Sequence, residues 1–212
     1  MYDTMKPEKR NFIIERMLRV EWDMFQRVGS SDGKAQCQED WHTFHIMRYS
    51  YYNAWSNSMI LSYVRDLEEA MNAERNLITE KYAYMMEYTD PEYFNSRLQP
   101  YLPAVDEETR RLIDEIAAYL VSCDQEFVQQ YPRIGRKGRP IEAAKDNAAA
   151  TSAETYTKGE LRTYSKYTLR HFADYVRSCR ENGTNFAFLV KDKMVRMYGY
   201  TSLDDAEAKM SV

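Results

Sequence analysis

The chain has 212 residues, with 29 Lys plus Arg against 33 Asp plus Glu and a net charge of -4, and a chain this long buries roughly 70% of its unfolded surface without a metal or disulfide staple. The mild acidic balance excludes a generally basic nucleic-acid protein, and the 44% hydrophobic content excludes an acidic disordered chain. With only 7 Gly and 6 Pro, few tight turns are expected, hence long helices with few connections.

In chain order, Asn11 to Val28 reads as a helix, with apolar residues from Ile13 to Phe25 at steps of three and four. Gly29 to Gly33 stops it, and a polar loop leads to Asp40. Trp41 to Ala73 contains no Gly or Pro and reads as one long helix. Asn76 to Tyr88 is the next. Asp90-Pro91 has the cap and first-turn residues of a short helix to about Asn95. Pro100 and Pro103 bracket a linker. The acidic turn Asp106-Glu107-Glu108 opens a helix to about Tyr131. Pro132 to Ser152 is the longest irregular stretch. Glu154 to Glu181 reads as a second long helix, interrupted only at Gly159 and closed by Asn182-Gly183. Asn185 caps a helix to Tyr198, and Ser202 begins a short last one. No segment alternates as a strand does, so the fold class is all-α, in a single domain spanning 1–212.

The element order repeats. A slide of 112 residues sets Phe44, Tyr52, Trp55 and Tyr63 on Tyr156, Tyr164, Tyr167 and Tyr175. Within each set the four positions fall within about 100° of one another, on one helix face. The same slide aligns Lys81 with Lys193 and Thr43 with Thr155; the first helices align at 102. A helical bundle of two duplicated halves, approximately 11–95 and 112–208, is therefore expected around a pseudo-two-fold axis. Arg48 and Glu160 occupy equivalent positions, so the axis brings opposite charges together. They are either a buried ion pair that fixes register or a substrate-binding pair with space left by Gly159.

Glu21-Trp22-Asp23-Met24-Phe25, Cys37-Gln38, Thr43 to Ser50 and Asn76 to Met86 resemble a mainly bacterial family catalogued as domain of unknown function 4125. Gly138-Arg139-Pro140 and Glu154 to Leu161 resemble it too, so the likeness covers nearly the whole chain. Tyr51 stands where the family pattern has Gln. The resemblance implies no established activity.

Four sets of residues are candidates for chemistry. Glu21, Glu80, Glu154 and Glu160 lie on or at the start of helices that pack together, and a carboxylate near a closed core can act as acid or base, with Glu21 and Glu160 the residues assigned that role. Arg48 and Arg139 can hold an anionic group, and the hydroxyls of Tyr52, Tyr156 and Tyr164 can orient it. Arg139 belongs to the one concentrated basic stretch, Arg133 to Pro140. His42 and His45 share a helix face near Asp40 and Cys37, but no Glu-x-x-His pair of a di-iron bundle occurs, so no metal is assigned. Cys37 precedes a long helix, where a thiol can be activated, although a small buried residue is its default reading.

Three cysteines with no close pair and no apolar leader suggest reduced thiols in the cytoplasm. No stretch reaches the roughly 18 apolar residues of a membrane helix. The expected function is binding or conversion of a small anionic metabolite in a Tyr-lined pocket at the axis. The alternative is a helical scaffold that engages another protein. No nucleic-acid or membrane partner is expected, and no cofactor is indicated.

Overall fold

The computed structural model describes residues 5–29, 35–146 and 150–210. The expected stop at Ser30 to Gly33, the opening residues Met1 to Thr4 and part of the irregular stretch (147–149) lie outside the described residues. Within them the chain is all-helical.

Helix α1 spans Pro7–Gln26. It begins earlier than the apolar pattern, because Pro7 has the fixed φ that a first helical position needs. The expected long helix from Trp41 to Ala73 is two helices, α2 (Trp41–Asn53) and α3 (Asn57–Asn72). The Ser56 hydroxyl accepts from the Met59 N–H and starts the second without Gly or Pro. Helix α4 (Leu77–Thr89) is capped by Asn76, and α5 (Pro91–Tyr93) by Asp90. Helix α6 (Glu107–Gln130) is capped by Asp106. One turn, α7 (Pro132–Gly135), follows. The second expected long helix is also divided, into α8 (Ala153–Leu161) and α9 (Lys166–Glu181). The break is not at Gly159, which lies inside α8. It comes at 162–165, where Ser165 caps the Thr168 N–H. Helix α10 (Phe186–Met197) is capped by Asn185, and α11 (Leu203–Lys209) by Ser202.

The packing has a simple order. Helix α1 lies on α2, α3 and α4, and α6 lies on α8, α9 and α10. Between these groups α3 meets α9, α4 meets α8, and α10 meets α2. At the centre Tyr63 and Tyr164 rings are 4.9 Å apart and Trp55 is 5.5 Å from Phe172. Such aromatic pairs add to the burial of their area. The two breaks redirect the expected aromatic faces. Tyr52, Trp55, Tyr63 and Tyr164 reach the core, whereas Tyr167, just past the second break, is 54% exposed.

Gly159 governs how closely two helices approach. A Cβ there would lie 2.6 Å from Met85 Cγ and 2.9 Å from the Lys81 carbonyl oxygen. The space left by the missing side chain is thus filled by α4, not by a ligand. Gly159→Ala should cost about 1–3 kcal/mol through overpacking, read as a lower midpoint in urea unfolding. An unchanged midpoint would show that α8 can retreat from α4 without penalty.

Candidate functional site

Two carboxylates and two cations converge where α1, α2, α4 and α8 meet. Arg48 on α2 donates from Nε and Nη2 to Glu21 on α1, at 3.0 and 2.6 Å. Its Nη1 donates to both oxygens of Glu160 on α8, at 2.8 and 3.0 Å. Lys81 on α4 donates to Glu160 Oε2 at 2.6 Å. Phenols complete the set. Tyr52 and Tyr63 donate to Glu21 Oε1 at 2.5 and 2.7 Å, and Tyr164 to Glu160 Oε1 at 2.7 Å. The Tyr52 hydroxyl also meets Arg48, one helical turn away on α2.

The network is buried and its formal charges cancel. Glu21 is 0% exposed, and the Arg48 side chain only 13%. Burial by itself would raise the Glu160 carboxyl, but the charges of Arg48 and Lys81 outweigh it and hold the group well below the usual carboxylate range. Burial also reduces the Arg48 affinity for its proton, while Glu160 and Glu21 more than reverse this. The Tyr52, Tyr63 and Tyr164 phenols are pushed up by burial, so they stay protonated and act as donors.

A cleft of about 200 Å³ opens above this network. Arg48 and Lys81 form part of its lining, with Tyr82, Tyr156 and Arg139. The Lys81 ammonium is 3.5 Å from the centre of the Tyr156 ring, and the Arg139 guanidinium is 4.9 Å from it. Arg139 is exposed and donates to the Thr151 carbonyl at 3.2 Å. The lining also has an apolar part: Phe25, Phe44, Met47 and Ile78. Phe25 and Phe44 stack at 5.8 Å. Burial raises the Tyr82 phenol, with Tyr156 and Cys37 beside it adding to the shift.

The sequence-derived residues therefore divide. Glu21, Arg48, Tyr52, Glu160 and Tyr164 come together in the buried network, whereas Tyr156 and Arg139 lie in the cleft wall and only Arg48 belongs to both. Glu80 and Glu154 serve elsewhere: Glu80 pairs with Arg75, and Glu154 accepts from the Ala143 N–H and Lys158. The basic stretch does not act as a unit. Its Arg133 is docked on Glu207 and Ala208 of α11.

Cys37 is exposed and lines the cleft, contrary to its default reading as a buried residue. Its neighbour Gln38 is the buried one, and its amide donates to the Phe25 and Val28 carbonyls. That anchor holds the short turn Gln36–Gln38 against the end of α1 and leaves Cys37 facing out. His45 pairs with Glu15 at 2.9 Å, and His42 has its edge toward Tyr198. Among the described residues, no group of three or more His, Cys, Asp or Glu is placed to hold a metal.

Lys81 was missed as a site residue, yet it carried a signal. It sits between Leu77, Ile78, Tyr84 and Met85, all buried, on the apolar face of α4. A lysine on such a face needs a partner. Tyr63 carried no such mark, because an aromatic residue on an apolar face reads as core.

A family model described as protein of unknown function (DUF4125) matches residues 11–208, and the chain belongs to that family. No curated protein and no solved structure matches it. Among the described residues, no helix is long and apolar enough to cross a membrane.

Three outcomes follow from this geometry. Glu21→Gln should cost about 3–5 kcal/mol, because one buried positive charge is left uncompensated; chemical denaturation measures it. Glu160 has a depressed pKa in the fold, so its contribution is present above about pH 4.5, the ordinary glutamate value, and fades as pH falls toward the folded value. Stability of the native chain should therefore drop more steeply below that pH than stability of Glu160→Gln. A thiol reagent should modify one cysteine quickly in the folded chain, Cys37, and reach Cys123 and Cys179 only on unfolding.

Proposed function

We propose that the cleft binds a small anionic metabolite and that the chain is built from two copies of one helical unit, approximately 11–95 and 112–208. One observation carries the binding proposal: Arg48 and Lys81, both largely removed from water, line a cleft while two buried carboxylates hold them in place. Polar groups fixed in this way lose little freedom when a ligand arrives. Arg139 adds a cation at the solvent side. Tyr156 and Tyr82 supply rings and hydroxyls beside them.

Within this proposal Glu21 and Glu160 are positioning residues, because their oxygens are engaged by Arg48, Lys81 and three phenols. Tyr52 and Tyr164 support the carboxylates rather than the ligand. Arg139, Lys81 and Tyr156 face the ligand. The cleft, of about 200 Å³, is of a size for a small metabolite.

Support for duplication comes from caps and packing. Asp40 and Ser152 each cap the N–H three residues on, as do Ser56 and Ser165. Asn76 and Asn185 each cap two N–H groups of the next helix. Glu74 and Gly183 both have positive φ where the preceding helix ends. The first pair is 112 residues apart and the rest are 109 apart, because α8 is four residues shorter than α2 and its break one residue longer. Asn76 donates to the Met24 carbonyl and Asn185 to that of Cys123, which sets the first helices 99 apart instead of 102. The packing of α4 on α8 and of α10 on α2 is what an exchange of halves produces.

A scaffold role is the second possibility, and exposed Phe12 and Met71 beside a groove between α1 and α3 favour it. A thermal-shift screen of small organic and inorganic anions separates the two. An anion ligand should raise the midpoint, protect Cys37 from alkylation, and lose at least about tenfold in affinity in Arg139→Gln, a substitution at an exposed position. Arg48→Ala is the poorer variant, because it opens the buried network itself. If no anion shifts the midpoint or protects Cys37, the cleft proposal fails and the scaffold role gains.

A further inference from the structure

The charges and walls of the cleft restrict what kind of anion it takes. Arg48 is compensated by Glu21 and Glu160, and Lys81 shares Glu160. Two cations against two carboxylates leave the floor neutral. Among the described residues, Arg139 is the cation of the lining without a carboxylate partner. Asp40 lines the cleft too, and its carboxylate is exposed and held below the usual range, mainly by the Thr43 N–H. With Asp40 counted the cleft and its network carry no net charge, so a single added negative charge is matched only locally, by Arg139, and a second would face Glu160, Glu21 and Asp40 with no cation left.

At the start of α2 the Asp40 carboxylate stands where a phosphate would have to sit. Helix α2 starts at the cleft, and the Thr43 N–H of its first turn is already taken by Asp40 at 2.9 Å. Helix termini bind phosphate through N–H groups left free. The fork of a single guanidinium takes either group, but a carboxylate brings one negative charge where a phosphate ester brings nearly two.

The remaining wall is apolar and partly yielding. Phe25 and Phe44 present stacked rings, Ile78 is buried beside them, and Met47 is 54% exposed and flexible. A fully hydrated sugar or an inorganic ion would leave this wall unused.

Resting on the anion-binding reading of the same cleft, we infer that its ligand is a small monocarboxylate with an apolar, ring-sized or branched body, not a phosphate ester. The carboxylate lies toward Arg139, Lys81 and Tyr156, and the body lies against Phe25, Phe44, Met47 and Ile78.

The test uses the full chain and five probes: 3-phenylpropionate, its uncharged amide, acetate, phenyl phosphate and inorganic phosphate. Calorimetric titration gives affinities, and the rate of Cys37 alkylation reports occupancy of the cleft. 3-Phenylpropionate should bind at least about tenfold more tightly than the amide, which lacks the charge, and than acetate, which lacks the body. It should also bind more tightly than phenyl phosphate, and Arg139→Gln should remove most of its advantage over the amide. Tighter binding of phenyl phosphate or inorganic phosphate would overturn the carboxylate assignment while leaving an anion site. Acetate equal to 3-phenylpropionate would overturn the apolar body. An undiminished affinity in Arg139→Gln would overturn the placement of the carboxylate. If none of the four anions binds, anion binding by the cleft is itself refuted.

Discussion

The charge balance among Glu21, Arg48, Glu160 and Lys81 is the constraint on which the rest of this structure depends. A buried guanidinium with one carboxylate missing is costly, and a buried carboxylate with no cation is equally so. Each member therefore requires the others, and each comes from a different helix. Helices α1, α2, α4 and α8 can meet in the observed arrangement only if all four charges arrive together. An all-apolar centre of the same volume would leave every charge paired if a helix slid by one turn. This centre does not, because such a slide would separate charges by a helical pitch of about 5.4 Å.

The network also supplies two of the cations that line the cleft. Arg48 and Lys81 point inward to their carboxylates, and their outer surfaces become the cleft floor. The phenols of Tyr52, Tyr63 and Tyr164 close the inner side, where protonated hydroxyls can donate to carboxylates without adding charge. Apolar lining comes from the same helices, through Phe44 and Met47 on α2 and Ile78 on α4. Gly159 sets the spacing beneath. With no side chain there, α8 approaches α4 closely enough for Glu160 to reach Lys81.

Much of the fold was legible in the chain. The caps Asp90, Asp106, Asn185 and Ser202 start helices as their side chains predict, and the stop at Asn182-Gly183 coincides with a positive φ at Gly183. The breaks at Ser56 and Ser165 were not legible. Serine in an uninterrupted helical pattern reads as a tolerated residue, and it becomes a cap only when the backbone around it is extended. Those two breaks sent Tyr167 outward and left Trp55 inward, so the aromatic faces expected from spacing are only partly formed. Arg48 and Glu160 were identified by their equivalent positions, and they do meet. Lys81 stood on an apolar face and needed only that inconsistency to be pursued.

The amino-acid sequence by itself determined the helical class, most helix starts and the candidacy of the two opposite charges, because caps and periodicity act over a few neighbouring residues. Tertiary structure alone decided that Glu21 and Lys81 complete the charge balance, that Gly159 makes room for a helix, and that Cys37 faces a cleft. These facts depend on distances between segments separated by tens of residues along the chain. Such distances follow from how buried charges and packed side chains are satisfied together, and no local pattern records them.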